Sequence, residues 1–207
     1  MKIKTYVLGP VMTNCYFAIN EDTKETIIID PADKAEVLIQ NINREGLKPV
    51  AIFLTHGHFD HILAVSEIVE RFQIPIYASE EEKELLETPS MNLSVSLGKN
   101  IALTPTDLLN DKDVIKLAGA EITVIHTPGH TSGGVCYLFK ENKFLFSGDT
   151  LFEGTVGRAD LPTGNLNTLL DSLNRKLMTL PDDITVFPGH GESTTIGHER
   201  NTNPYVS

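Results

Sequence analysis

The chain has 207 residues, of which 41% are hydrophobic and 22% charged, and this composition excludes a disordered or fibrous protein. Acidic residues number 28 and basic residues 17, so the formal charge is -11 and no basic stripe is present that could bind nucleic acid. No apolar run reaches transmembrane length, and the N-terminus lacks the apolar core of a secretory signal. We therefore expect a cytoplasmic protein that binds neither nucleic acid nor membrane.

The first half of the chain alternates predicted strands and helices. Runs rich in β-branched and aromatic residues predict strands at KIKTYVL, NCYFAI and ETIIID. Residues 34–45 carry apolar side chains at helical spacing and precede Gly46, which predicts a helix that ends there. The apolar run PVAIFL predicts a fourth strand. It is followed by a predicted helix from Ile62 to Phe72, a short strand at PIYA and a charged helix over residues 80–87.

The second half begins with residues 88–113, whose weak periodicity predicts an irregular crossing segment or a lid. Strands are then predicted at DVIKL, EITVIH, VCYLF and KFLFSGD, because these runs lie between glycine-rich turns. Asn165 is expected to cap a helix, and ITVFPGH predicts the last strand. The apolar stripe of that helix is expected to contain Leu166, Leu169, Leu170, Leu173 and Leu177.

These elements predict an α/β fold in one domain over residues 1–207, with two β-rich halves that are each covered by helices. The two cysteines, Cys15 and Cys136, lie far apart in apolar strand-like runs. We expect both to be buried, reduced thiols.

Histidine is concentrated in the segment LTHGHFDH, which follows a predicted strand in a chain with only 7 histidines. Side chains two positions apart in an extended segment point the same way, so His56 and His58 can reach one metal ion. Asp60 and His61 would then face a neighbouring point. A solvated polar loop is the alternative interpretation.

Three other predicted strands end in a residue that could bind metal: VIHTPGH at His130, FLFSGD at Asp149 and VFPGH at His190. A single histidine at a strand end is usually packed or solvated, but the repetition of the pattern favours a shared site. Imidazoles and carboxylates without thiolates suit zinc, iron or manganese in an open catalytic site.

The motifs THGHFDH, TPGHTSGG, SGDTLF and FPGH, in this order between Thr55 and His190, resemble those of the metallo-β-lactamase superfamily. They are most similar to its short glyoxalase II-like hydrolases. The resemblance implies a four-layer αβ/βα sandwich, with two mixed β-sheets flanked by helices and two divalent metal ions at one edge, zinc first and iron or manganese as alternatives. The implied ligands are His56, His58 and His130 for the first metal, Asp60, His61 and His190 for the second, and Asp149 as the bridge.

The activity that the resemblance implies is hydrolysis by a hydroxide that bridges the two metals. Two cations lower the pKa of such a water from about 15.7 towards about 7. The chain has no convincing GxSxG serine elbow, and Asp60 could act as a catalytic residue that orients the hydroxide. A thiol, with a pKa near 8.5, leaves readily as thiolate, which suits a thioester substrate.

The segment GDTLFEGTVGRADLPTGN resembles the one that follows the bridging aspartate in glyoxalase II. This implies a thioesterase of the hydroxyacylglutathione hydrolase type that acts on a small-molecule, glutathione-derived thioester, with Arg158 as the substrate-binding residue. The alternative for Arg158 is an ion pair with an acidic neighbour such as Asp160. Asp160 replaces the family's tyrosine, and the chain ends shortly after His190 without the family's helical domain, so glutathione recognition stays open.

Three further residues have two interpretations each. Asp30 either supports the histidine loop by hydrogen bonding, as the resemblance implies, or is a simple turn residue. His126 either orients the TPGH loop or only packs, the second being favoured, and His198 is expected to have no chemical role.

Rival functions remain at this point. Persulfide dioxygenases have similar motifs but use one iron, which here would be held by His56, His130 and Asp149. A nuclease is disfavoured by length and charge, and a secreted β-lactamase by the missing signal segment. A metal-binding domain without catalysis is the remaining alternative.

Overall fold

Two six-stranded mixed β-sheets form the body of the molecule in a computed structural model, which describes residues 1–206. The strands of the first sheet are β1 (Lys2–Leu8), β2 (Thr13–Ile19), β3 (Glu25–Ile29), β4 (Lys48–Phe53), β5 (Ile76–Ser79) and β6 (Asp107–Leu109). They lie side by side in chain order. The pairs from β1 to β3 are antiparallel, and those from β3 to β6 are parallel.

The second half of the chain forms the other sheet and a small hairpin. Its strands are β7 (Val114–Leu117), β8 (Ala120–His126), β9 (Val135–Phe139), β10 (Phe144–Gly148), β11 (Leu151–Phe152), β12 (Thr155–Val156), β13 (Thr185–Pro188) and β14 (Thr194–Thr195). The sheet order is β14-β13-β10-β9-β8-β7, and β11 pairs with β12 separately. Only β10 and β13 run parallel.

Within the described part of the chain, six α-helices connect or cover these strands. They are α1 (Ala35–Glu45), α2 (Phe59–Ile62), α3 (Val65–Phe72), α4 (Lys83–Glu87), α5 (Leu166–Arg175) and α6 (Ile196–Thr202). Short 3₁₀ helices lie at Glu80–Glu82, Ser94–Leu97, Lys140–Asn142 and Leu177–Thr179. Within residues 1–206, no helix combines the length and apolar character that a bilayer crossing requires.

The packing of the core confirms the expected four layers. Successive side chains of a strand point to opposite faces, so the apolar run of β3 can be buried on both sides. Ile28 packs with the α1 and α3 side chains Leu38 and Ile68, whereas its neighbour Ile27 belongs to the core between the sheets. On the far side, Leu173 of α5 packs against the second sheet. Helices therefore cover the outer face of both sheets.

Most of the strands predicted from the sequence are confirmed, as are the helix before Gly46 and the cap at Asn165, which accepts a hydrogen bond from Thr168 N at 3.0 Å. Both cysteines are buried and unpaired, as expected. The helix predicted from Ile62 to Phe72 is wrong in its bounds, because it is broken into α2 and α3. At the break, Leu63 N and Ala64 N donate to the carbonyls of Ala32 and Pro31.

Five other details differ from the sequence prediction. The segment 88–113 contains a 3₁₀ helix and the edge strand β6, β13 is followed by β14 and α6, and the predicted charged helix over 80–87 begins as a 3₁₀ turn. Leu166 does not belong to the buried stripe of α5, since it is 48% exposed at the first turn. Leu177 lies in a separate 3₁₀ turn. These errors concern elements too short to show a period, or the first and last turns of a helix.

Candidate metal centre

The predicted ligands come from both sheets. His56 and His58 follow β4, whereas Asp60 and His61 lie in α2, so the expected strand-end loop ends in a helical turn. The other three lie directly after strands or turns of the second sheet: His130 after β8, Asp149 after β10 and His190 after β13.

Backbone hydrogen bonds join the two sheets at this point. Val135 N donates to Thr55 O at 2.9 Å, and Asn14 N donates to Gly189 O at 2.7 Å. Thr13, the first residue of β2, also forms an isolated antiparallel bridge with His190. The ligand candidates of the two halves therefore sit on backbone segments that are held in fixed register.

The structure brings all seven predicted residues together in three overlapping groups. Within each group the candidate ligand atoms lie within 4.8 Å of one another. The groups are His56, His58 and His130; His56, His61 and Asp149; and Asp60, His61 and His190. The first and third groups match the two sets that the motif resemblance implies.

Asp149 lies between these two sets. Its Oδ1 is 3.4 Å from His61 Nε2, and its Oδ2 is 3.6 Å both from His130 Nε2 and from His190 Nε2. Gly189 makes room for this carboxylate, since a Cβ atom at that position would lie 2.1 Å from Asp149 Oδ1. One carboxylate thus faces both groups, as a bridging ligand must.

The outward-facing ring nitrogens are fixed by hydrogen bonds. His61 Nδ1 donates to Asp30 Oδ2 at 2.9 Å, and His130 Nδ1 donates to Arg158 O at 2.7 Å. His56 Nδ1 lies 3.2 Å from Thr55 Oγ1, whose own proton goes to Asp30 Oδ2. A proton on each Nδ1 leaves Nε2 of these three rings with a free lone pair, which is the form that binds metal.

Buried polar atoms without partners test whether metal ions fit here. Within residues 1–206, four such side-chain atoms occur: Nε2 of His56, His58 and His61, and Oδ1 of Asp149. Leaving a buried polar atom unsatisfied costs roughly 1–3 kcal/mol, so native proteins avoid it. All four belong to residues of this cluster, and coordination to cations would satisfy the nitrogens of His56 and His61 and the oxygen of Asp149, whereas His58 faces His130 through Nδ1 at 2.9 Å. The residues therefore fit a His/Asp site for divalent metal.

The electrostatics of the cluster divide it in two. Burial, reinforced by His130, lowers the pKa of His58 to about 3, and the pKa of His56 is likewise far below its ordinary value, so both rings are neutral. Burial also lowers the pKa of His61, but the surrounding carboxylates outweigh it and hold that pKa well above normal. Burial raises the pKa of Asp60, yet His61 and the other contacts hold it below its usual range. The carboxylate side therefore attracts positive charge, which a metal ion would supply in place of a proton.

A cavity of about 250 Å³ opens above the cluster. It is lined by Val11, His58, Phe59, Asp60, Leu93, His130, Asp149, Arg158, Leu161 and His190. Arg158, the predicted substrate contact, lines this cavity and also makes the alternative ion pair: its Nε and Nη2 donate to the two carboxylate oxygens of Asp160 at 2.7 and 2.8 Å. Leu93 belongs to the segment considered as a lid, so that segment does reach the cavity.

The structure shows the contacts of the three further residues that had two interpretations or no expected role. Asp30 accepts hydrogen bonds from Thr55 N, Thr55 Oγ1 and His61 Nδ1, which is the supporting arrangement rather than a turn. His126 Nε2 donates to Ser132 O at 2.9 Å and so ties down the loop after His130, although packing alone was the favoured interpretation. His198 is half exposed in α6 and belongs to none of the three groups.

Two supporting residues escaped the sequence interpretation. Thr13 Oγ1 donates to Asp60 Oδ2 at 2.8 Å, and Glu82 accepts three hydrogen bonds from the loops that carry His58 and His130. Nothing in the local sequence around Thr13 indicates this contact. For Glu82 the acidic run gives no signal either, because its burial follows from contacts with loops that are distant in the sequence.

Comparison with known proteins finds relatives that match almost the whole chain. A family model described as the metallo-beta-lactamase superfamily matches residues 8–190. The hydroxyacylglutathione hydrolase GloC of Haemophilus influenzae is 38% identical over 100% of this chain and 99% of its own length. The solved structure of BLEG-1, a B3 metallo-beta-lactamase, is 42% identical with a TM-score of 0.94, covering 99% of both chains. That of TTHA1623 in a di-iron-bound form is 37% identical with a TM-score of 0.87, covering 98% of this chain and 99% of the other.

Proposed function

The chain belongs to the metallo-beta-lactamase superfamily, and we propose that it is a binuclear metallohydrolase that cleaves small-molecule thioesters, with hydroxyacylglutathiones as the first candidates. One observation carries the proposal: two three-residue groups of candidate ligands face each other across Asp149 at the base of a cavity. We propose His56, His58 and His130 as ligands of one ion, Asp60, His61 and His190 as ligands of the other, and Asp149 as the bridge.

Two divalent cations, when bound, would supply Lewis acidity and a hydroxide nucleophile at neutral pH. The chain's own groups prepare the site for them. Asp30 and the carbonyl of Arg158 keep the protons of His61 and His130 on Nδ1. Asp60 lines the cavity with its Oδ2 held by Thr13, and we propose that it orients the attacking water.

The rest of the cavity wall favours a leaving group that needs no proton. Apart from the proposed ligands, the described wall residues are Val11, Phe59, Leu93, Leu161 and Arg158. The first four are apolar, and a guanidinium does not release its proton. A thiol departs as thiolate without a general acid, whereas the nitrogen of an amide must be protonated. A thioester therefore suits this wall better than an amide.

The relatives agree with this proposal in activity and in metal number. GloC carries the name of a thioester hydrolase at 38% identity over the whole chain, and the di-iron form of TTHA1623 holds two metal ions on a similar fold. We propose two zinc ions here, with iron as the alternative that TTHA1623 supports. Because both sheets contribute ligands, we also propose that residues 1–207 act as one domain.

Hydrolysis of β-lactams is the second candidate, since BLEG-1 is 42% identical and is named a B3 metallo-beta-lactamase. The cavity wall is less suited to this reaction, because the lactam nitrogen must gain a proton as the ring opens and the described wall residues offer no proton donor besides the proposed ligands. A persulfide dioxygenase with one iron on His56, His130 and Asp149 is the third. It leaves His61 and His190 without a function, although both face Asp149.

The test is metal quantification together with three assays on one sample purified from the native host. The assays are hydrolysis of S-lactoylglutathione, hydrolysis of a chromogenic cephalosporin, and oxygen uptake with glutathione persulfide. We expect about two metal ions per chain and a kcat/KM for the thioester at least about 100-fold above that for the cephalosporin, a difference of about 2.7 kcal/mol in transition-state binding. One iron per chain with oxygen uptake, or a faster reaction with the cephalosporin, would overturn the proposal.

A further inference from the structure

Glu82 is a buried acid in an exposed acidic run. It ends the 3₁₀ helix Glu80–Glu82, and while Glu80 and Glu81 are exposed, Glu82 is only 1% exposed. Charged side chains are almost never fully buried unless they are paired or hydrogen-bonded. The position of Glu82 therefore calls for a reason.

Its carboxylate joins two separate loops. Oε1 accepts a hydrogen bond from Gly57 N at 2.8 Å, and Oε2 accepts from Thr131 Oγ1 and from Gly133 N, both at 2.9 Å. Gly57 lies between His56 and His58, and Thr131 follows His130 directly. One side chain thus holds both backbone segments that carry the three-histidine group.

The segment that begins at Glu82 packs closely against both loops. A Cβ atom at Gly133 would lie 2.2 Å from the backbone nitrogen of Glu82, and one at Gly57 would lie 2.9 Å from Leu86 Cγ. The segment from Glu82 to Leu86 therefore touches both loops directly. Across the group, His58 Nδ1 and His130 Nε2 are 2.9 Å apart, so a small shift between the loops changes the geometry of both rings.

No cation pairs with this carboxylate among the ion pairs of residues 1–206. Its three partners are all neutral donors. A buried anion that has neutral partners only is stabilised by any cation bound nearby. The three-histidine group, whose ligands are themselves neutral, is the adjacent place for one.

We propose that Glu82 is a positioning residue for the three-histidine metal subsite: it fixes the distance between the His58 and His130 loops and balances the charge of the ion held there. The proposal rests on the proposed function only for the identity of those ligands. It does not depend on which substrate is cleaved.

The decisive variant is Glu82→Gln, which keeps the shape but turns one accepting oxygen into an NH₂ group. That group faces backbone or hydroxyl donors, so at least one of the three hydrogen bonds is lost. Residues that orient ligands in this way typically contribute about 10- to 100-fold in metal affinity. We expect a loss of that size for one equivalent of Co²⁺ in a chelator competition, together with a changed visible absorption spectrum of the bound Co²⁺.

Glu81→Gln is the matched control, since it removes the same charge from the exposed neighbour and should leave both readouts unchanged. Thr131→Val, which removes one hydrogen bond, should give a smaller loss of Co²⁺ affinity, and Thr131→Ser should restore the wild-type affinity. This pair of variants tests the proposal if Glu82→Gln does not fold. Wild-type Co²⁺ affinity and spectrum in folded Glu82→Gln, or in Thr131→Val, would overturn the proposal. Neither readout uses a thioester, so this test of Glu82 stays valid even if the protein hydrolyses no thioester.

Discussion

Replacing Asp30 by asparagine should disturb the His61 side of the metal site more than the other side. Asp30 is 2% exposed and accepts hydrogen bonds at both oxygens: Oδ1 from Thr55 N at 2.8 Å, and Oδ2 from Thr55 Oγ1 at 2.6 Å and His61 Nδ1 at 2.9 Å. In Asp30→Asn the amide oxygen can satisfy only one side. If it stays with Thr55 N, the NH₂ group confronts His61, whose proton must then move from Nδ1 to Nε2.

The size of the effect follows from this change of tautomer. Nε2 of His61 is the atom that faces Asp60 and Asp149, at 3.5 and 3.4 Å, and a proton there blocks it as a ligand. Groups that fix the tautomer of a metal-binding histidine contribute about 10- to 100-fold in affinity, which corresponds to about 1.4–2.7 kcal/mol. Asp30 contacts His61 directly but reaches His56 only through Thr55 Oγ1, so the loss should be larger for the metal ion that His61 binds.

A competition titration with a Zn²⁺ chelator measures both equivalents. Wild type and Asp30→Asn should differ by the factor above in at least one of the two equivalents. Asp33→Asn is the matched control, because Asp33 lies three residues along the chain and its side chain accepts from Lys34 N, outside the cluster. If Asp30→Asn binds both zinc ions as wild type does, the assignment of His61 Nε2 as a ligand through Asp30 is wrong.

Three other changes test the same site. Gly189→Ala places a Cβ atom 2.1 Å from Asp149 Oδ1, so kcat/KM should fall by about 100-fold in steady-state assays, and wild-type kcat/KM would contradict this. Burial raises the pKa of Glu82 to about 7, so its stabilising contribution is present at low pH and lost as the pH rises through 7. In urea unfolding of metal-free protein, the free energy of unfolding of wild type should therefore fall by about 3 kcal/mol relative to that of Glu82→Gln between pH 4.5 and 8. Parallel plots of unfolding free energy against pH for the two proteins would contradict this. Removing the metal with a chelator should lower the free energy of unfolding by about 2.7 kcal/mol for each bound ion, relative to protein with free metal at 100 times Kd, and an unchanged melting temperature would contradict a metal site.

The fold, and the residues that gather in the three groups of candidate ligands, could be predicted from the sequence for a specific physical reason. Strands buried on both faces appear as continuous apolar runs, and a His or Asp directly after such a run stands out, as at His130 and Asp149. The residues 56–61 cluster gave the same signal more strongly. Local patterns marked these residues as candidates because each lies next to an element that is itself strongly patterned, and the motif resemblance supplied their division into two sets.

The features that escaped prediction depend on contacts between distant segments. β11, β12 and β14 have two residues each, so no period can be seen in them. α2 and α3 separate because Leu63 N and Ala64 N donate to the β3–α1 loop, which is about 30 residues away in the sequence. Glu82 is buried against loops that lie 25 and 49 positions away, and nothing in its own acidic run reports that distance.

The backbone bonds between the sheets at Thr55 and Gly189 have a consequence for how the molecule could be divided. A chain cut in the short connection between β6 and β7 would yield two fragments, one with the four candidate ligands of residues 56–61 and the other with His130, Asp149 and His190. Neither fragment alone carries a complete set for both ions. Added Zn²⁺ would then promote association of the two fragments, and recovered activity would report that they had assembled into the native fold.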